Sequence, residues 1–315
     1  MELDFIAWLR DRLEDHPHLR LGIGDDAAIL RWGRDHDCVI TTDLLADGVH
    51  FRLDQVGAAR VGRKALAVNL SDLAAMGAQP HSAVVSLLLP RAGARQLAIE
   101  LYEGMLPLAR QFNMAIAGGD TNCWDGPLVT NVAAIGQLTE RGPLLRRGAR
   151  PGDSVIVTGS FGGSILGRHY DFSPRIDEAL LLHAQYQVHA AIDVSDGLTL
   201  DLWRICQESG CGAALELDCV PVSPDAIRLA RDENRQGAAL RHALTDGEDF
   251  ELILAVPPGE DQRLLAEQPL SLPLTRIGRF VAEPGLWQLD RHGTRQPLAA
   301  GGYQHGNSSG MNDGS

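Results

Sequence analysis

The sequence predicts an α/β chain organised as two α+β domains. Three observations carry this expectation. A length of 315 residues suits two domains of ordinary size. Short apolar runs alternate with helix-period segments along the whole chain. A stretch rich in Gly, Pro and Arg, 141–153, divides the two halves. The expected boundaries are an N-terminal domain at 1–140, a C-terminal domain at 141–305 and a disordered Gly/Ser/Asn-rich tail at 306–315.

The elements follow in order. Phe5, Ile6, Leu9 and Leu13 share one side of a short helix over 3–15. Strands at 27–32 and 38–42 flank a polar turn. The segment 58–77 is a helix dominated by Ala, Leu and Val, ended by Gly77 and Pro80. A buried strand at 82–89 stops at Pro90, and an amphipathic helix follows at 94–112. A short strand at 114–117 runs into a Gly-Gly-Asp turn, and a long strand occupies 128–138. Beyond the linker, strands are expected at 155–158, 191–194, 213–217, 250–256 and 274–277. Helices are expected around 162–169, 176–187, 198–209, 224–232 and 260–267.

Hydrophobic content of 44% is enough for a core, which aromatic content of 5% leaves mostly aliphatic. The net charge of −13 argues against nucleic acid and against an anionic membrane surface as partners. No apolar run approaches the roughly 20 residues of a membrane span. The N-terminus has no basic region followed by an apolar one, as a secretory signal would. The five cysteines include no Cys-x-x-Cys pair, which disfavours zinc and fits a cytoplasmic location.

Five acidic clusters stand where apolar runs end: Asp25-Asp26, Thr41-Thr42-Asp43, Gly118-Gly119-Asp120-Thr121, Asp193 to Gly197, and Gly247-Glu248-Asp249. Carboxylates gathered in this number point to hard cations and, through them, to phosphate chemistry. Asp72 adds to them. It lies on a nearly all-apolar helix with Asn69 on the same face, where an unpaired carboxylate is costly to bury. Of the neighbours Asp25 and Asp26, one serves metal and the other structure. Ser195 and Asp196 open a helix whose free N–H groups suit an anion or a cap. Three look-alike motifs fail. The segment 57–64 has Arg63 and Ala65 where a P-loop needs Lys and Ser/Thr. Gly22-Ile23-Gly24 lacks a third glycine, and Asp193 replaces the first glycine of a nucleophile elbow.

These segments, taken with Gly48-Val49-His50-Phe51 and the run Lys-Ala-Leu-Ala-Val-Asn-Leu-Ser-Asp-Leu-Ala-Ala-Met-Gly-Ala at 64–78, resemble the thiamine-monophosphate kinase family. The resemblance covers almost the whole chain in the family's order. It implies a four-stranded N-terminal sheet that forms a barrel with a second subunit, and a C-terminal α+β domain over the nucleotide. It implies phosphorylation of thiamine monophosphate by ATP, with several Mg2+ ions, in a homodimer. By motif position Asp26, Thr41, Thr42, Asp43, Asp72, Asp120, Asp193 and Asp196 resemble magnesium ligands, with Asp43, Asp72 and Asp120 as the catalytic carboxylates. Gly119, Asp120, Arg146 and Ser195 resemble ATP contacts. His50, Glu248 and Tyr303 resemble contacts to thiamine monophosphate. The chain departs from the family pattern at Asn122 and in a short segment over 167–189. Two other readings are a related ATP-dependent enzyme with a different acceptor, and a non-catalytic nucleotide-binding protein.

Overall fold

The computed structural model describes residues 17–22, 24–32, 37–233, 237–290 and 292–303. The expected helix at 3–15 and the tail at 306–315 lie outside these.

The first sheet holds β1 (Leu19–Leu21), β2 (Ala28–Arg31), β3 (Asp37–Ala46), β4 (Ala78–Pro90), β5 (Ala115–Trp124) and β6 (Val129–Leu138). Their order is β1-β2-β3-β6-β4-β5, so the sheet has six strands where four were expected. The four long strands form its body, and the short β1 and β2 extend one edge. Only β4 and β5 run parallel. Before β4 come helices α1 (Leu53–Val56) and α2 (Ala58–Ala75), and α3 (Ala94–Gln111) is the crossover that a parallel pair requires. No closed barrel forms within the described residues.

Period-two alternation gives this sheet a buried face and an open one. Val39, Leu45, Val85, Leu87, Val132 and Ala134 are buried in one core cluster with Leu66, Leu70 and Leu73 of α2 and Leu101 and Met105 of α3. The opposite face carries Leu44, Val84 and Trp124, exposed at 59%, 46% and 38%. Glycines let α2 and α3 touch backbone to backbone. A Cβ on Gly62 would fall 2.0 Å from the Leu101 carbonyl oxygen, and one on Gly104 would fall 1.7 Å from that of Ala59. Gly62 therefore belongs to helix packing, which accounts for the failed P-loop.

After the linker come β7 (Ser154–Thr158), a 3₁₀ turn at Ser164–Leu166, α4 (Arg168–Asp171), α5 (Ile176–Gln185), β8 (Ala190–Asp193) and α6 (Leu198–Ser209). They are followed by β9 (Gly212–Leu215), α7 (Pro224–Glu233), α8 (Ala238–Thr245), β10 (Leu252–Val256), α9 (Glu260–Glu267), β11 (Leu274–Val281), β12 (Gly285–Leu289) and β13 (Arg295–Pro297). The second sheet runs β13-β12-β9-β11-β7-β10-β8, antiparallel except for β12 beside β9. Strands β7, β8 and β10 are buried on both faces, which is why they read as unbroken apolar runs. One face meets α6 and α8. The other, through Ile156, Ala191, Leu252 and Leu254, joins the core cluster of the first sheet.

Helix α2 is the hinge of this arrangement. It touches the first sheet, α3, α5 and β8, and fourteen of its eighteen residues are buried. Its polar residues therefore look into the seam between the two sheets. Among the described residues no helix is long and apolar enough to cross a membrane.

Candidate active site

The seam gathers carboxylates from separate elements. Asp26 precedes β2, Asp72 lies in the last turn of α2 and Asp193 ends β8, and ligand oxygens of all three lie within 4.8 Å of one another. Thr41 of β3 donates its hydroxyl to Asp72. Ser71 donates to Asp193 at 2.6 Å. Asp43 joins from β3: burial, followed by the charge of Asp196, pushes its carboxyl up to about 6. Asp72 is raised by burial and then by Asp43, Asp193 and Asp26. Asp193 is raised by burial and then by Asp26. Asp196 follows on the turn after β8, paired with Arg204, while Asp201 accepts the N–H groups of Asp196 and Gly197.

Arg146 is the cation at this cluster. Its guanidinium donates to Asp26 at 2.6 Å and its backbone N–H reaches the Asp25 carboxylate at 3.1 Å. Burial opposes its charge, yet Asp26, Asp25 and Asp193 hold it above the ordinary arginine value. Asp25 thus fixes the linker while Asp26 faces the cluster. Burial and then Asp26 push the Asp25 carboxyl up to about 7.

The donor set fits a hard divalent cation on one specific observation. Asp26 Oδ2 is buried without a hydrogen-bond partner, and so is Asn69 Oδ1, one turn from Asp72 on α2. Buried acceptors left this way are costly unless a cation or donor meets them. Arg146 Nε is likewise buried and unpartnered, a donor suited to an anion beside the cation.

This arrangement predicts an unusual pH dependence. Carboxylates whose folded pKa is raised bind more protons folded than unfolded between about pH 4 and pH 7. Metal-free protein should therefore lose stability as pH rises through that window. Adding Mg2+ should raise the melting temperature more at about pH 8 than at about pH 5.5, where protons compete for the ligands. Calorimetry at both pH values, with EDTA or Mg2+, checks this.

A second group lies at the other end of α2. Lys64, eight residues before Asp72 and so about 12 Å away along the axis, is fully buried. Its ammonium donates to Glu248 at 2.5 Å and to the His50 carbonyl at 2.9 Å, and lies 5.2 Å from the Tyr170 ring centre. His50 Nδ1 accepts the Ala46 N–H at 3.1 Å, which puts a neutral ring's proton on Nε2. The Glu248 N–H donates to Ser195 O at 2.7 Å and the Tyr303 N–H to Asp196 O at 2.8 Å. These bonds tie both residues to the Asp193–Gly197 turn. Glu248 has a left-handed φ of 61°.

Asp26, Thr41, Asp43, Asp72, Asp193, Asp196 and Arg146 are thus brought together, and Ser195, Glu248, His50 and Tyr303 lie on the adjoining turns. Thr42, Gly119 and Asp120 are not brought to them within one chain. Thr42 alternates to the open face and accepts from Asn131 at 2.8 Å. The expected Gly-Gly-Asp turn is strand instead, because β5 continues to Trp124. Asp120 faces outward in one row with Ser86, Asn131 and Leu44, three strands from β3, or about 14 Å. Gly119 is needed for strand contact, since a Cβ there would fall 1.7 Å from the Val85 carbonyl oxygen. The sequence reading missed Lys64 and Arg204. A lone lysine in an apolar helix is the same signal that singled out Asp72.

The two halves match family models for the AIR synthase related protein N-terminal domain over 24–138 and C-terminal domain over 150–286. Fold and carboxylate seam therefore define an AIR synthase related protein. HypE in its complex with HypF has this fold at a TM-score of 0.75 and 17% identity, over 94% of this chain and 99% of that one. Sequence similarity is higher to the thiamine-monophosphate kinase of Rhodopirellula baltica, at 44% identity over 97% of this chain and 98% of that protein. The Escherichia coli K12 thiamine-monophosphate kinase is 36% identical over 96% and 98%. AaThiL complexed with AMPPCP and TMP superposes with a TM-score of 0.82 at 27% identity, over 96% of each chain. The chain belongs to the thiamine-monophosphate kinase family.

Proposed function

We propose that this chain transfers the γ-phosphoryl group of ATP to the phosphate of thiamine monophosphate, giving thiamine diphosphate and ADP. The observation that carries the reading is the convergence of Asp26, Asp72 and Asp193, with Asp26 Oδ2 buried and unpartnered. AaThiL, which shares the fold, was solved with AMPPCP and TMP.

Both reactants are anions that repel each other and an acidic protein. Mg2+ bound by Asp26, Asp43, Asp72, Asp193 and Asp196, with Thr41, would neutralise phosphate charge there. Arg146 already has two acidic neighbours and a spare Nε–H, which we assign to an ATP phosphate oxygen. Ser195 is assigned to the same anion, because Asp201 already accepts the N–H groups of Asp196 and Gly197 on that turn. The acceptor oxygen is ionised near neutral pH, so the chain needs positioning more than a general base. His50, through Nε2–H, orients the acceptor phosphate. Lys64 holds the Glu248 carboxylate in place for the cationic thiamine, and Tyr303 stacks beside it.

Asp120 and Gly119 enter this proposal through a second copy of the chain. The open face of the first sheet bears Leu44, Val84 and Trp124, an apolar surface suited to a symmetric partner. Pairing of two such faces would bring the partner's Asp120 toward β3. A homodimer with a shared barrel is thus part of the proposal. So is a cytoplasmic location, supported by five cysteines that are all free thiols. ADP release should depend on thiamine monophosphate and not be supported by unphosphorylated thiamine. Equal release with both acceptors would reject the assigned acceptor.

A further inference from the structure

On the other side of the linker, between it and the C-terminal end of α5, lies a cleft of about 430 Å3. Its charged lining is cationic, with Arg141, Arg147 and Arg150 beside the imidazoles of His183 and His189 and no Asp or Glu among the lining residues. In a chain of net charge −13 this is a local reversal of sign. Arg147 and Arg150 are exposed, and neither guanidinium has an ion pair or hydrogen bond among the described residues. Arg141 donates to the carbonyls of Ala184 and Tyr186 at 2.7 and 3.2 Å, so no carboxylate offsets its charge. His183 is turned to the Gly142 carbonyl at 2.8 Å, and burial lowers its pKa. Two carboxylates lie nearby outside the lining: Asp153, behind the cleft, faces His189 at 2.9 Å and accepts the Arg150 N–H at 2.8 Å, and Glu260 accepts the N–H of Gln187 at 3.1 Å. Pro143, Leu144 and Val188 supply an apolar wall.

We propose that this cleft is a second anion site, which binds a small organic phosphate with its phosphate on Arg141, Arg147 and Arg150 and its carbon part on the apolar wall. The volume exceeds that of a bare phosphate and lies at the lower end for small-molecule sites. The planar guanidinium groups of Arg147 and Arg150, which have no partner among the described residues, are the donors best matched to phosphate oxygens, and Arg141, held by two carbonyls, adds its charge. The site is distinct from the carboxylate seam, because Arg146 is not among its lining residues. It nevertheless shares the linker. The Arg146 side chain holds Asp26, and the Leu145 carbonyl accepts the Ala191 N–H at 2.9 Å on the strand that ends in Asp193. An occupant of the cleft therefore bears on the segment that positions the active-site arginine.

Binding of inorganic pyrophosphate to the full chain, measured calorimetrically in EDTA, tests the site. Without a divalent ion the acidic seam repels the probe. The expected result is one site per chain with Kd near or below about 1 mM, weakened about tenfold or more in R147A/R150A. Arg147→Gln alone should weaken it in the same direction, should the double variant fail to fold. Asp193→Asn should bind pyrophosphate as the parent does. No saturable binding to the parent, undiminished binding in the arginine variants, or loss in Asp193→Asn would overturn the proposal. The readout is binding, so it stands or falls separately from the kinase reading.

Discussion

Asp193→Asn lowers turnover by about a thousandfold or more while leaving the metal-free protein at least as stable as the parent. The two halves of this expectation have one cause. Asp193 is buried, shares its site with Asp26 and Asp72, and has its pKa raised by that burial and by Asp26. In the proposed site its charge would serve a bound cation, and without one that charge opposes folding. The amide keeps the shape and can still accept the Ser71 hydroxyl, which donates at 2.6 Å. Melting temperatures in EDTA at about pH 8, set beside steady-state kcat, measure both quantities. A fall in stability that tracks the fall in kcat would make Asp193 a structural residue. Asp120→Asn should also be inactive. If Asp120 acts across a dimer, an equal mixture of Asp193→Asn and Asp120→Asn chains, refolded together, recovers about a quarter of parental activity. No recovery would place Asp120 outside a shared site.

Gly104→Ala destabilises the N-terminal half by about 3 to 5 kcal/mol. The new methyl would fall 1.7 Å from the Ala59 carbonyl oxygen, a contact with backbone that no rotamer change relieves. Helix α2 would be pushed from α3, and α2 carries Lys64, Asn69, Ser71 and Asp72. Activity should therefore fall together with stability, in contrast to Asp193→Asn. Chemical denaturation is the measurement. Glu103→Ala, one residue away and exposed, serves as the control and should stay within about 0.5 kcal/mol of the parent. A Gly104→Ala protein as stable as that control would mean that the helices are not in backbone contact.

Much of the carboxylate seam was legible in the sequence because burying charge is expensive wherever it happens. Asp72 on an apolar helix, and Asp193 closing an apolar strand, each announce a partner before any fold is known. The face of each residue was less visible. Thr41, Thr42 and Asp43 are consecutive on β3, so strand alternation sends Thr42 to the open face even though composition groups all three. Gly118 and Gly119 suggested a turn, but the second glycine exists to admit the Val85 carbonyl from the parallel neighbour. Sequence carries no mark of such a contact, because it depends on which strand lies alongside. The short α1 and the strands β12 and β13 were missed for a related reason. They are three to five residues long, too short for an apolar period to show, and pairing with β9 holds β12 in place. Two short edge strands made the first sheet six-stranded. Strands β4 and β6 and helices α2, α3 and α6 fall close to where the apolar periodicity puts them, while β3 and β5 run four and seven residues beyond their expected ends.

On the proposed mechanism the phosphoryl group passes directly from ATP to thiamine monophosphate at the Asp26–Asp72–Asp193 seam. A single-turnover experiment tests it most directly, with enzyme in excess over γ-labelled ATP, in Mg2+ and thiamine monophosphate, quenched and resolved by chromatography. The label should pass into thiamine diphosphate as ADP appears, one for one, with none left on the protein, and Asp193→Asn should transfer none on the same timescale. Label in inorganic phosphate or on the protein, with no thiamine diphosphate formed, would contradict it.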